Sequence, residues 1–165
     1  MNLTTTLPTK TELQIAWKDW LESKRDEWVL LTITVVFQPI DLNNSQARWE
    51  DEYKRRVLQK FRRALERNPK EQAKAIPYEE FFYFERDEAS IFRVTGSRKP
   101  FHIHGLLPIR KGQLYRVWSS DSNTLLDRLQ KDLASIDTLQ SVLVERIVEG
   151  KTIDWVRYMS KGKPF

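Results

Sequence analysis

The sequence predicts an α+β fold in which helices pack against a mainly antiparallel β-sheet. Segments rich in β-branched or aromatic residues alternate with segments whose apolar residues recur every three or four positions. Two of the strand-like segments, "YEEFFYFER" and "FHIHGLLPI", are joined by a stretch without a helical pattern. We therefore expect these two strands to form a long-looped hairpin, which makes the sheet of the split βαβ type rather than parallel and doubly wound.

The first half of the chain predicts a helix, a strand and a second helix. Residues 11–25 form an amphipathic helix, because their leucines and tryptophans fall on one side. The uncharged, β-branched run "WVLLTITVVF" at 28–37 is typical of a buried strand. Residues 46–68 form a helix whose buried face consists of residues at steps of four, namely Trp49, Tyr53, Val57, Phe61 and Leu65.

The second half predicts three strands and two helices. Residues 78–86 and 101–109 are the strands of the expected hairpin. Residues 123–136 have leucines at helical spacing behind candidate capping residues, 141–149 form a fourth strand, and 152–161 form a short last helix. The strand order in the sheet does not follow from these patterns.

Composition excludes several classes of protein. The 165 residues fit one domain with a sizeable core, and the absence of cysteine excludes disulfides, iron–sulfur clusters and thiolate zinc sites. The N-terminus lacks the pattern of a signal peptide, and no apolar run approaches the roughly 18 residues of a membrane span. We therefore expect a soluble protein with no membrane partner, located in the cytoplasm, or in the nucleus if the host is eukaryotic.

The positive charge is concentrated in the helix at 46–68. Lys and Arg number 28 against 23 Asp and Glu, a net charge of +5 that permits a polyanionic partner without requiring one. The candidates for contact with phosphates on this helix are Arg55, Arg56, Arg62 and Arg63. The alternative is an ordinary solvated helix surface, on which such residues are common.

Both histidines of the chain lie in the strand "FHIHGLLPI". Side chains alternate between the two faces of a strand, so His102 and His104 share one face, at a spacing suited to binding one cation. Two ordinary histidines on a solvated sheet face are the alternative. A third, oxygen-donating ligand would favour a site for Mn²⁺ or Mg²⁺. Glu85 on the neighbouring strand is the candidate, and its rivals are Glu79, Glu80, Asp87 and Glu88.

The last helix carries a tyrosine and a lysine three residues apart. Tyr158 and Lys161 therefore project from the same helix face. A cation beside a phenol favours the phenolate and the negative charge that builds on a phosphate under attack. This pair is consistent with a nucleophilic tyrosine, although the motif alone has little specificity.

The order of these motifs resembles the HUH endonucleases, and specifically the Rep class that initiates rolling-circle replication. "LTITVVF" is followed by a strand ending in Glu85, by "HIHG" and by "YMSK" near the end of the chain. The resemblance extends from about residue 28 to residue 161. Relaxases carry the tyrosine before the histidines, and two-tyrosine initiators carry a second tyrosine one turn later, where this chain has Gly162.

The resemblance implies a fold, a reaction and partners. HUH domains have a central antiparallel sheet of ferredoxin-like or RRM-like form, with the histidine strand in the middle and the tyrosine helix over it. The resemblance implies that His102, His104 and Glu85 bind Mn²⁺ or Mg²⁺, that Tyr158 attacks a phosphate of single-stranded DNA, and that Lys161 assists it. The expected enzyme nicks and joins an origin or hairpin substrate of a plasmid, virus or mobile element, through a 5′-phosphotyrosine.

The resemblance also implies a single nuclease domain over residues 1–165, on which residues 1–27 pack as an N-terminal helical extension. We expect no helicase domain in this chain, so a helicase from the host or the element is an expected partner. The loop between Glu85 and His102 is longer than in viral members, which keeps the other acidic ligands open. Two alternative functions are a single-tyrosine HUH transposase and a non-catalytic module that binds single-stranded nucleic acid.

Overall fold

The computed structural model describes residues 7–38, 46–76, 82–85 and 102–160, without the side chains of Gln46 and of residues 82–85. Four strands form an antiparallel sheet in the order β2-β3-β1-β6, where β1 is Trp28–Phe37, β2 is Phe82–Glu85, β3 is His102–Arg110 and β6 is Leu139–Arg146. Strands β4 (Trp118–Ser119) and β5 (Thr124–Leu125) form a separate hairpin. The predicted α+β class, with an antiparallel sheet flanked by helices, is confirmed.

Five helical elements flank the sheet in the described residues. Helix α1 is Lys10–Ser23, α3 is Pro69–Ala75, α4 is Asp127–Ala134 and α5 is Thr152–Met159. Helix α2 consists of three consecutive segments, which are α-helical at Gln46–Glu52, π-helical at Tyr53–Leu58 and α-helical again at Gln59–Leu65. A 3₁₀ segment, Lys111–Arg116, follows β3. No helix in these ranges is both long and apolar enough to cross a membrane.

The predicted hairpin is confirmed over the part of it that the structure describes. Strand β2 pairs antiparallel with β3, which also pairs antiparallel with β1. The remainder of the predicted strand 78–86, and Phe101 at the start of the predicted strand 101–109, lie outside the described residues. The histidine strand is therefore an interior strand of the sheet.

The long basic helix ends earlier than the sequence predicted. We expected it to continue to residue 68, but α2 ends at Leu65, and Glu66 is extended, with φ −137° and ψ 125°. Pro69 occupies the first turn of a new helix, α3, and Asn68 caps that helix by accepting a hydrogen bond from the Lys70 amide. Proline disfavours the helical conformation of the residue before it, and Asn68 is accordingly extended. The helix therefore cannot continue through this point, and a new one starts at Pro69.

The predicted helix 123–136 is also shorter than expected. Its first two residues after the turn, Thr124 and Leu125, pair with β4 instead, and the helix starts at Asp127. Asn123 has a positive φ of 52°, which asparagine tolerates better than most residues. The capping residues expected before this helix therefore form a hairpin turn.

The two faces of the sheet have different coverings. Odd-numbered residues of β1 and β3, such as Ile33 and Ile103, join the main core with α2 and α4. Even-numbered residues at one end of the other face, Leu30 and Leu106, join a smaller cluster with Leu21 of α1 and Val156 of α5. We call the remainder of this second face, around Thr34, Val36, His102 and His104, the open face, because its side chains are only partly buried.

Candidate metal and nucleophile site

The two histidines are neighbours on the open face. The rings of His102 and His104 lie nearly parallel, at 6°, with their centroids 6.3 Å apart. This arrangement follows from the two-residue period of β3 and confirms that the two imidazoles share one face. The Nδ1 atom of His102 is buried and has no hydrogen-bond partner among the described residues. Such an orphaned nitrogen suits a ligand, because a buried polar atom without a partner costs free energy.

Tyr158 lies against the second histidine. Its hydroxyl oxygen is 3.1 Å from Nε2 of His104, and the two rings meet edge to face with centroids 5.0 Å apart. The tyrosine is 43% exposed, so the residue is accessible from solvent while its hydroxyl lies close to the imidazole. Helix α5 and strand β3 are therefore packed so that residues 54 positions apart form one polar cluster.

His104 has a second polar neighbour that the sequence analysis missed. The Thr34 hydroxyl lies 3.0 Å from Nδ1 of His104, since the two residues are paired directly across β1 and β3. When Nδ1 carries the proton and donates it to Thr34, Nε2 keeps a lone pair that faces Tyr158. The signal was present in "LTITVVF", where Thr32 and Thr34 alternate with Ile33 and Val35 and mark one face of the strand as polar.

Helix α1 fixes both ends of the tyrosine helix. At the N-terminal end, Thr152 donates a hydrogen bond to the Glu22 carboxylate and accepts one of 2.8 Å from Nη2 of Arg25. Arg25 is also paired with Glu22, at 2.8 Å. At the C-terminal end, the Gln14 amide donates a 2.7 Å hydrogen bond to the Ser160 hydroxyl. No sequence pattern predicted these pairings, and they position the backbone that carries Tyr158.

A close packing contact lies directly beneath the histidine strand. Gly105, which follows His104, faces the main core, and a β-carbon at this position would collide with the hydroxyl of Tyr53. Tyr53 is fully buried, and burial raises the pKa of its phenol well above the ordinary value. The glycine of "HIHG" therefore allows the π-helical part of α2 to approach β3 closely.

For Glu85, the predicted third metal ligand, the structure describes only the backbone. Glu85 pairs directly with His102 across β2 and β3, and Tyr83 pairs with His104. Among the described side chains, no group of three or more His, Asp or Glu residues is arranged to hold a metal ion. Lys161 and the rival acids Glu79, Glu80, Asp87 and Glu88 lie outside the described residues.

The four arginines predicted to contact DNA do not form one surface with the histidines. They lie on α2, which packs on the opposite face of the sheet. Arg55 is paired with Asp51 at 2.6 Å, and Arg56 with Glu52 at 3.3 Å and Asp137 at 2.8 Å. The remaining two differ in exposure, since Arg62 is only 8% exposed whereas Arg63 is exposed.

Comparison of the chain with family models, with curated proteins and with solved structures found no match.

Proposed function

We propose that the protein is a metal-dependent endonuclease and strand-transferase that nicks and joins single-stranded DNA, of the HUH Rep class. Its biological role would be to initiate rolling-circle replication of a plasmid, virus or mobile element. The observation that supports this best is the 3.1 Å approach of the Tyr158 hydroxyl to Nε2 of His104. A tyrosine oxygen, two neighbouring imidazoles and a glutamate paired with His102 are the groups that this reaction needs.

The donor set fits a divalent cation. His102 and His104 would hold it through ring nitrogens, with Glu85 as the oxygen ligand that Mn²⁺ and Mg²⁺ favour. The buried, unpartnered Nδ1 of His102 supports this assignment within the described part of the chain. When bound, the ion would polarise the scissile phosphate and offset the negative charge that develops on it.

Tyr158 would act as the nucleophile. Its phenolic oxygen forms a bond to phosphorus, the phenol loses its proton, and the bond from phosphorus to the 3′-oxygen of the preceding nucleotide breaks. The leaving oxygen takes up a proton and becomes a free 3′-hydroxyl, while the 5′-phosphate stays on the tyrosine. Attack by a DNA 3′-hydroxyl on this ester reverses each step and reseals the strand. Lys161 would stabilise charge on the phosphate.

A non-catalytic module that binds single-stranded nucleic acid is the second candidate. It is favoured by exposed hydrophobic side chains on the side of the sheet that carries the histidines, namely Tyr158 at 43% and Leu143 at 53% exposure. Bases stack on such surfaces without sequence preference. This function would need neither a metal nor an oxygen nucleophile, so the two proposals differ in covalent chemistry. A transposase of the same superfamily would share the chemistry and differ only in its DNA.

The decisive test is covalent capture. Protein incubated with labelled single-stranded DNA and Mn²⁺ should acquire a DNA fragment that resists boiling in detergent, and peptide mapping should locate it on Tyr158. The variant Tyr158→Phe should lose both adduct and nick but still bind DNA, because only the attacking oxygen is removed. Tyr115→Phe is the matched control, since Tyr115 is 68% exposed and follows the same strand. An adduct on Tyr115, or cleavage by Tyr158→Phe, would refute the assignment.

A further inference from the structure

Part of the positive charge of the basic helix lines a cleft on the opposite face of the molecule from the histidines. A cleft of about 530 Å³ runs between the last turns of α2 and helix α4. Its charged lining residues are Lys60, Arg63, Arg67, Arg116, Arg128 and Asp132. Five cations therefore surround this concavity with a single carboxylate, an arrangement that creates a strongly positive potential.

One of the five cations, Arg116, interacts with the Glu66 carboxylate, whereas the other four lack such a partner among the described residues. These four are Lys60, Arg63, Arg67 and Arg128. Arg55 and Arg56, by contrast, each form an ion pair with a carboxylate. The charge of these four cations is thus available to an external anion.

One arginine of the cleft is held in place by its neighbours. Nη1 of Arg116 donates a 2.5 Å hydrogen bond to the carbonyl of Leu65, and Nε donates one of 3.2 Å to the hydroxyl of Tyr115. The first bond satisfies a carbonyl at the end of α2. A preorganised cation at the mouth of a cleft loses little side-chain freedom when an anion binds.

The cleft also extends along the basic helix. A smaller cleft of about 220 Å³ adjoins it, and Lys60 and Arg63 line both. The other cations of the smaller cleft, Arg55 and Arg56, are paired with carboxylates, so the available charge lies in the larger cleft. Several cations around one concavity fit a polyanion better than a single small anion. No aromatic side chain is among the described residues that line either cleft, so a base has no ring on which to stack.

We propose that this basic cleft binds the phosphate backbone of double-stranded nucleic acid, at a site separate from the one that carries Tyr158. A duplex keeps its bases inside and presents two phosphates per step, which suits a lining that offers cations and no stacking surface. Single strands would lack the stacking contribution of about 1–3 kcal/mol per base. The inference goes beyond the proposed nuclease activity and does not depend on it.

The test measures binding of the whole chain to a fluorescein-labelled duplex of about 20 base pairs, by anisotropy between roughly 50 and 300 mM KCl. EDTA in the buffer prevents metal-dependent cleavage, so the result is independent of the nuclease proposal. Each of Arg67→Ala and Arg128→Ala should reduce the slope of log affinity against log salt by about 0.9, the value for one lost phosphate contact on duplex DNA. The triple variant, in which Lys60, Arg67 and Arg128 are all replaced by alanine, should bind the duplex on the order of 10²-fold more weakly at about 0.1 M salt.

Lys131→Ala is the matched control, because Lys131 is an exposed cation on the same helix as Arg128 but does not line the cleft. An unchanged slope of duplex binding in the cleft variants would overturn the proposal. Binding of the same variants to vesicles of phosphatidylcholine and phosphatidylserine should be measured in parallel. Cleft variants that lose vesicle binding but keep duplex binding would assign the site to a membrane surface and also overturn it.

Discussion

Thr34 and His104 are paired directly across strands β1 and β3, with the threonine hydroxyl 3.0 Å from Nδ1 of the imidazole. This contact orients the ring so that its other nitrogen, Nε2, faces Tyr158 at 3.1 Å. A polar residue in the middle of a buried strand thereby sets the direction in which a candidate metal ligand points.

Replacing Thr34 by valine should weaken metal binding without unfolding the protein. Valine keeps the shape and the strand propensity but removes the hydroxyl, so His104 loses the partner that fixes its ring. Manganese affinity measured by calorimetry should fall roughly 10- to 100-fold, and Thr34→Ser should restore most of it. Thr32→Val is the control, because Thr32 lies on the same face, and among the described residues its hydroxyl bonds only the Glu145 carbonyl, at 3.4 Å. Equal losses in both variants would contradict this role.

The histidines themselves should be required for metal binding and dispensable for folding. His102→Ala or His104→Ala should reduce manganese affinity by more than about 100-fold, beyond the range typical of residues that only orient a ligand. Circular dichroism should show an unchanged fold, since both side chains are only partly buried. Unchanged manganese affinity in His104→Ala would contradict the proposed metal site. Unchanged affinity in Glu85→Gln alone would transfer the third ligand to one of the neighbouring acids.

Alanine at Gly105 should destabilise the protein. Its β-carbon would collide with Tyr53 and press on Ile33, a tight contact at 3.2 Å, so overpacking should cost about 1–3 kcal/mol in urea denaturation. Gly112→Ala is the control, because no atom lies within 4 Å of a β-carbon built there. Adding Tyr53→Phe to Gly105→Ala should recover part of the loss. An equal effect at the two glycines would exclude the packing explanation.

The attachment of α1 to α5 should depend on pH through Glu22. Burial raises the pKa of this carboxyl, but hydrogen bonds from Thr152 and Arg25 outweigh that effect and lower the pKa below its usual value. A carboxyl with a lowered folded-state pKa stabilises the fold above the unfolded pKa of about 4.3, and the stability is lost as pH falls through the folded pKa.

At pH 7 Glu22→Gln should therefore lower the free energy of unfolding by about 1.5–3 kcal/mol, the range for hydrogen bonds to a charged group. The difference from wild type should shrink as pH falls below about 4.3 and close below the folded-state pKa of Glu22, as measured by thermal unfolding across pH. Asp19→Asn is the control, because its ion pair with Lys18 is exposed and should contribute less than about 1 kcal/mol. A difference that stays constant from pH 7 down to about pH 2 would show that the charge of Glu22 is not involved.

The sequence by itself predicted the fold class and the position of each main strand within a few residues. Periodicity is a local property, so the alternation of "HIHG" was sufficient to place both imidazoles on one face. Some errors fell at element ends, where Pro69 broke a helix and Asn123 turned the chain into a hairpin, and others were short elements that were not predicted, namely α3 and β4. These ends depend on competing turn and capping interactions, which a periodic pattern does not report.

The tertiary structure decided which elements meet. Periodicity predicts the buried face of a helix but not the partner of that face, so only packing placed α2 and α5 on opposite sides of the sheet. That placement brings Tyr158 to His104, buries Arg62, and separates the basic cleft from the histidines. The residues concerned are distant in the chain, and each sheet face is covered by the helices whose apolar surfaces it can bury.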